Sequence, residues 1–313
     1  MWLVGGSLDD VIKEVSRALG DKDFQEGLMK SGLNNQRKVA EILSSHPEIL
    51  EAAKRVTEVK RESVRRLGEL VERAVESLRR VGANPYYAET AEDAREIVGK
   101  IVGSGSIVVM SKSMAAEEIG LREHLESMGN EVWETDLGQL LVMLEGVKPM
   151  HNVAPAVHMT RERAARIIRE KLGIEVDERD VEGMVAAVRE FLREKFFKAR
   201  VGITGANSMS ADTGTIVLVE NEGNIRLVSS LPPVHVALVP IDKIVPSVWD
   251  AVNVALVQAA FAGFWMPVYI SLITGPSATG DIEQIKVLGA HGPREVHVVL
   301  LDNGRMKAAS HPF

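Results

Sequence analysis

At 313 residues and 45% hydrophobic content, the chain can bury a sizeable core as one large or two modest domains. A formal net charge of -7 gives no global basic field for nucleic acid or an anionic membrane, and the interleaved charges of Lys54 to Arg80 read as the solvated face of a helix. The absence of cysteine excludes disulfides, thiolate nucleophiles, zinc ribbons and an iron–sulfur cluster held by this chain alone.

Met1 to Asp10 is too short in its apolar part, and too acidic after it, for a signal peptide. Residues 1–82 carry helical patterns only. Val56, Val59, Leu67, Leu70, Val71, Ala74 and Leu78 recur at helical spacing, Gly82 stands where a C-terminal cap belongs, and Asn84-Pro85 closes the segment. This is an N-terminal helical arm that packs on the core or on a partner. An α/β domain follows over 83–313. Its order is a strand over 86–88, a helix over 92–101, a strand over 107–110, a helix over 114–128 and a strand beginning at Glu131. Such alternation predicts a mostly parallel sheet flanked by helices. A helical stretch over 160–197, broken near 173–177, leads to strands over 201–204, 215–219, 225–229, 234–239, 268–273 and 296–301, with one helix over 247–260. The longest apolar run, Ala251 to Ile273, is interrupted by Asn253, Gln258, Gly263 and Pro267. It reads as a core helix, a turn and a buried strand, so no membrane span is expected and a cytoplasmic location is.

Chemistry concentrates in the loops. Ser111-Lys112-Ser113 follows a buried strand and opens a helix: either a seat for a carboxylate or phosphate, or plain capping beside a solvated lysine. Glu117 and Glu118 lie one turn in, where they complement the helix dipole or hold Lys112 in place. Glu134-Thr135-Asp136 ends a strand at the edge where open α/β sheets bind ligands, although Asp and Thr are also common helix caps. His151 and His158 flank a proline-containing loop. With His235 and His291 they match no compact metal spacing, so no metal is expected and hydrogen bonding to a polar ligand is the better reading. The run Gly202 to Asn224 breaks two apolar strands with Gly, Ser, Asn and Asp, then closes on Glu220 and Glu222, either a pocket for a small polar molecule or a hairpin with a long loop. The Gly/Ser/Thr-rich loop after Ile273 lacks the lysine and spacing of a nucleoside-triphosphate site, and no GxSxG elbow supports a serine nucleophile.

Seven ordered blocks carry a resemblance to a known family: residues 111–121 (SKSMAAEEIGL), 134–139 (ETDLGQ), 151–160 (HNVAPAVHMT), 202–224, 231–239 (LPPVHVALV), 271–283 and 291–305. Together they resemble the lactate-utilisation (LUD) domain family, most like the N-terminal part of the iron–sulfur-binding subunit of L-lactate-oxidising complexes. The resemblance implies a fold akin to sugar-phosphate isomerases and CoA transferases. It also implies a place in an assembly that oxidises L-lactate, or a related 2-hydroxy acid, to the keto acid. Ligand contacts carried over are Lys112, Glu118, His151, Asn207, Asp212, Thr213, Asn224, Gly275 and Asp281. His158, His235 and Glu222 are the candidates for proton transfer. In the family a ferredoxin-like module with cysteine motifs follows LDNGR, whereas here Met306 to Phe313 follows. The 4Fe–4S clusters are therefore expected in a further segment or in a ferredoxin-like partner, alongside other lactate-utilisation subunits. Two alternatives stand beside this expectation: an autonomous CoA-transferase- or isomerase-like enzyme using Glu220 or Glu222, and a scaffold for a ferredoxin-like partner.

Overall fold

The computed structural model describes residues 8–20, 22–147, 156 and 159–311. Four helices open the chain: α1 (Leu8–Gly20), α2 (Lys22–Ser45), α3 (Glu48–Arg65) and α4 (Leu67–Arg80). There follow β1 (Asn84–Ala88), α5 (Ala91–Val102), β2 (Ile107–Met110), α6 (Met114–Glu118), α7 (Leu121–Ser127), β3 (Glu131–Glu134) and α8 (Leu137–Glu145). Then come α9 (Arg161–Ile167), a π-helical turn (Ile168–Leu172), α10 (Val181–Lys198), β4 (Val201–Thr204), β5 (Ser208–Ser210), β6 (Ile216–Glu220) and α11 (Asn224–Ser230). The remainder is β7 (Val234–Pro240), β8 (Ile244–Val245), α12 (Val248–Phe261), β9 (Tyr269–Ile273), β10 (Ala278–Thr279), β11 (Val287–Leu288), β12 (Glu295–Leu301) and α13 (Arg305–Ala309).

The chain divides into two compact units, one drawing on residues up to Glu41 and on Leu137–Glu190, the other on Ile42–Asp136 and from Phe191 onward. The larger unit is built on a six-stranded sheet in the order β1-β12-β7-β4-β2-β3, every neighbouring pair parallel. This is the expected mostly parallel α/β sheet. Parallel strands need both faces covered, and two apolar clusters do so. On one face α5, α6 and α7 lay Val98, Ala116, Leu121 and Leu125 against Val108, Met110, Val132 and Ile203. On the other, α4 lays Leu70, Ala74 and Leu78 against Ala237, Val239, Val298 and Leu300. Thr90 starts α5 with a capping box, its hydroxyl accepting from Asp93 N–H while the Asp93 carboxylate accepts from Thr90 N–H.

A second, four-stranded sheet in the order β8-β5-β6-β9 pairs β5 and β9 antiparallel with β6. Three expectations are corrected. The helix over 114–128 breaks at Gly120, which takes a left-handed conformation (φ 62°) and separates α6 from α7. The strand over 225–229 is the helix α11, because Gly223 (φ 86°) turns the chain and Glu220 caps its first turn. The strand over 268–273 lies at a sheet edge and is half-exposed, Leu272 being 52% accessible. Among the described residues no helix is long and apolar enough to cross a membrane.

Candidate functional site at the carboxyl edge of the sheet

The chain leaves β2 across the face covered by α6 and α7 to reach β3. It leaves β4 toward β7 by way of α11, which lies on the other face: Gly202 alternates with Val201 and Ile203, and a Cβ there would stand 1.9 Å from Val228 O. Neighbouring strands β2 and β4 thus send their connections to opposite faces, the topological switch point at whose carboxyl side open α/β sheets form a crevice. Ser111-Lys112-Ser113 leaves β2 there and Gly205 leaves β4. The two loops pack so closely that a Cβ on Gly205 would lie 2.8 Å from Ser113 Oγ.

Lys112 is half-buried in this crevice. Burial pulls its ammonium below the ordinary value, against the opposing pull of Asp136, Glu117, Glu222 and Glu134. Glu222, in the turn between β6 and α11, is raised by burial and by Asp136, with Lys112 opposing. Asn224 Nδ2 donates to Thr135 Oγ1 at 3.2 Å, and that hydroxyl donates to Met110 O at 2.9 Å. The start of α11 is thereby tied to the ends of β3 and β2. Ser113 Oγ accepts from Ala116 N–H, so it caps α6. With α6 only five residues long, the charge at this site comes from side chains and little from a helix dipole.

Of the residues expected to meet a ligand, Lys112, Glu222 and Asn224 converge here. Glu118 faces elsewhere and is bound by Arg305 at 2.6 and 2.9 Å and by Asn303 at 2.6 Å. Burial alone would raise its carboxyl, and the Arg305 and Asn303 hydrogen bonds hold it below the usual range. Asn207 braces β5, its Oδ1 accepting from Val219 N–H at 2.9 Å and its Nδ2 donating to Gln258 at 3.3 Å. Thr213 belongs to a hydroxyl chain through Ser210, Thr215 and Thr274, with links of 2.5, 2.7 and 2.8 Å. Beside it Asp212 O accepts from Ser77. Gly275 (φ 82°) closes on the end of α4, where a Cβ would lie 2.5 Å from Val81 O. Asp281 is exposed in the β10–β11 hairpin and accepts from Thr279 at 2.7 Å. His235 is fully buried within β7, with Nε2 2.8 Å from Thr204 Oγ1. Burial and His297 push it down to about 4, so it stays neutral in the sheet interior. His151 and His158 lie outside the described residues.

Glu220, a candidate nucleophile of the transferase alternative, accepts from Ile225 N–H at 2.7 Å and Arg226 N–H at 3.0 Å. Both oxygens are engaged in holding α11. Thr135 and Asp136 sit at the crevice, although only their segment, not their side chains, stood out in the sequence. Their signal is position at a strand's carboxyl end. Among the described residues no group of three or more His, Asp or Glu is placed to hold a metal ion.

Parallel α/β topology with a charged crevice at the switch point defines the class, and the sequence comparisons define the family. The LUD domain model matches residues 71–301, and the chain belongs to the LUD domain family. It is similar to proteins named lactate utilization protein B: 34% identical over 305 residues in Bacillus licheniformis, covering 92% of this chain and 62% of that protein, and 35% over 305 residues in Bacillus subtilis, covering 95% and 61%. An Escherichia coli protein named as an uncharacterized electron transport protein is 33% identical over 285 residues, covering 90% of this chain and 57% of that one. The chain thus spans less than two thirds of the length of these relatives. A solved DUF162 family protein from Deinococcus radiodurans superposes with a TM-score of 0.43 at 17% identity, covering 75% of this chain and 98% of that one.

Proposed function

We propose that this chain takes part in lactate utilisation as the portion that binds L-lactate, or a related 2-hydroxy acid, in the crevice between β2 and β4. The observation that carries this reading is the half-buried Lys112 ammonium at the switch point, with the raised Glu222 carboxyl beside it. The names of the relatives supply the substrate class.

In this reading Lys112 donates charge-assisted hydrogen bonds to the substrate carboxylate, and Glu222 accepts the proton of the 2-hydroxyl as that hydroxyl becomes a carbonyl. Asn224, fixed to Thr135, sets the wall of the site. The hydrogen on C2 leaves with both bonding electrons, as a hydride, to a two-electron acceptor outside this sequence, from which the electrons pass one at a time to an iron–sulfur centre in a further segment or a ferredoxin-like partner. With no cysteine, the residues present do not fit a cluster, and the chemistry of this chain ends at binding and proton handling.

Thermal denaturation against L-lactate, D-lactate, glycolate, pyruvate, acetyl-CoA and a sugar phosphate tests the reading. A dose-dependent rise with a 2-hydroxy acid is expected, since a ligand selective for the native state stabilises it. Lys112→Ala should weaken that binding about tenfold or more, the size of one charge-assisted hydrogen bond. No shift with any compound, or an unchanged dissociation constant in the variant, removes the substrate from this crevice.

A further inference from the structure

Sheet edges expose unpaired backbone groups, and proteins guard them with charge, proline, shortness or a covering element. Of the edge strands of the two larger sheets, β1, β3 and β8 are guarded. β1 carries Pro85, β3 carries Glu131 with Lys195 bound to it at 2.6 Å, and β8 is two residues long and packed by α3, α4 and α12. β9 is different. Its five residues, Tyr-Ile-Ser-Leu-Ile, hold no charge, no proline and no bulge, and its register with β6 is unbroken. Among the described residues no backbone hydrogen bond reaches it apart from the β6 pairing.

The phase of the ladder shows which groups are free. Ser210 N–H donates to Thr215 O and Asn207 N–H to Val217 O, so Thr215 and Val217 turn their backbone toward β5. Alternate residues of an antiparallel strand serve opposite neighbours, so Ile216, Leu218 and Glu220 serve β9. Their partners Ile273, Ser271 and Tyr269 bond inward, which leaves the N–H and C=O groups of Ile270 and Leu272 facing outward. Val268, Ile270 and Leu272 share one face of the strand. Ile270 packs on the cluster of Val217, Val245, Ala251 and Val254, whereas Val268 is 59% and Leu272 52% exposed. Met266, just before the strand, is exposed as well.

We propose that β9 is a homotypic interface, through which two copies of this chain pair antiparallel about a two-fold axis at Ser271 and join their smaller sheets into one. A second copy is the occupant because the strand is complementary to itself, as a two-fold interface requires. With Ser271 opposite Ser271, Ile270 of each copy exchanges both backbone hydrogen bonds with Leu272 of the other. Every outward N–H and C=O on both copies then finds a partner. Leu272 meets Ile270 on the apolar face, and Tyr269 meets Ile273 on the opposite one. No charge along the strand meets its like, although each chain carries a net charge of -7. The paired strands run for roughly 17 Å. With the flanking apolar side chains they cover on the order of 1,000 Å² in total, the low end for a specific interface, so a micromolar dissociation constant is expected. The pairing does not depend on what the crevice binds.

Sedimentation velocity of the chain from about 1 to about 100 µM should show a monomer–dimer equilibrium. Leu272→Lys, at an exposed position, should stay monomeric across that range with an unchanged melting temperature at the dilute end. The absence of cysteine supplies a second, direct reading. In the two-fold register the Ser271 Cα atoms form a non-hydrogen-bonded pair about 4.5 Å apart, within disulfide range. Mild oxidation of Ser271→Cys should therefore trap a covalent dimer, while Leu288→Cys, exposed on β11, should give none at the same concentration. If Leu272→Lys melts early, the cysteine pair decides alone. A chain that stays monomeric at about 100 µM would overturn the proposal and leave the edge to a different partner. A dimer that Leu272→Lys does not weaken, or equal cross-linking of the two cysteine variants, would overturn it by placing the contact elsewhere.

Discussion

Glu220 and Glu222 stand two positions apart, and their surroundings give them different tasks. Glu220 accepts from two backbone N–H groups at the start of α11, satisfying donors that a helix cannot satisfy itself. Glu220→Ala should therefore cost about 1 kcal/mol of stability, read as a lower urea midpoint at unchanged slope, whatever it does to ligand binding. A larger effect on ligand affinity than on stability would return Glu220 to the site. His235 is the second residue whose role turned on burial. Neutral when folded and protonated when unfolded, it binds fewer protons in the native state between about 4 and its ordinary value of 6.5. Stability should therefore rise with pH through that window and be lost as pH falls through it, by an amount on the order of 3 kcal/mol. His235→Asn should flatten that part of an acid-unfolding profile. An unchanged profile would mean that His235 titrates normally.

Gly202 shows why α11 is a helix in spite of its strand-like sequence. Asn224-Ile-Arg-Leu-Val carries β-branched and apolar residues that favour a strand when read locally. Gly202 leaves no side chain on β4, so the backbone of α11 at Val228 can rest directly on the sheet. Gly202→Ala places a Cβ 1.9 Å from a backbone oxygen that no rotamer change can move. A loss beyond the ~1–3 kcal/mol of ordinary overpacking is expected, seen as a fall in melting temperature or as insoluble protein. Normal melting would show that α11 can lift away. The residues Asp212, Thr213 and Gly275 make a comparable junction, where the β5–β6 turn and the strand end after β9 close on α4. Their Gly, Ser and Thr content signals close backbone approach, and sequence alone does not distinguish approach to a ligand from approach to another helix.

At the scale of the molecule, Glu134 and His235 oppose each other as pH changes. Glu134 binds more protons folded than unfolded between the usual carboxylate range and about 8, so its contribution to stability declines as pH rises across that window. His235 acts the other way below 6.5. Their combination predicts a stability maximum on the acid side of neutrality, and Glu134→Gln should remove the decline toward pH 8. Chemical denaturation at a series of pH values checks both limbs. Glu134 ends β3 and His235 stands near the start of β7, so the two limbs arise at opposite ends of the parallel sheet. The segment Leu137–Glu190, which belongs to the smaller unit, lies between β3 and β4 in the sequence.

The sequence by itself determined the alternation of strands and helices, the helical opening and the family. Hydrophobic period and ordered motif blocks are local, one-dimensional properties. It also put Lys112, Glu222 and Asn224 among the polar loop residues. Only the tertiary structure decided which of those loops meet. The order β1-β12-β7-β4-β2-β3 brings 112, 135–136 and 222–224 to one crevice and sends Glu118, Asn207, Thr213 and Gly275 to structural junctions. Burial, which turns His235 into a neutral core residue and Glu134 into a protonated acid, belongs to the packed sheet and has no counterpart in the local sequence.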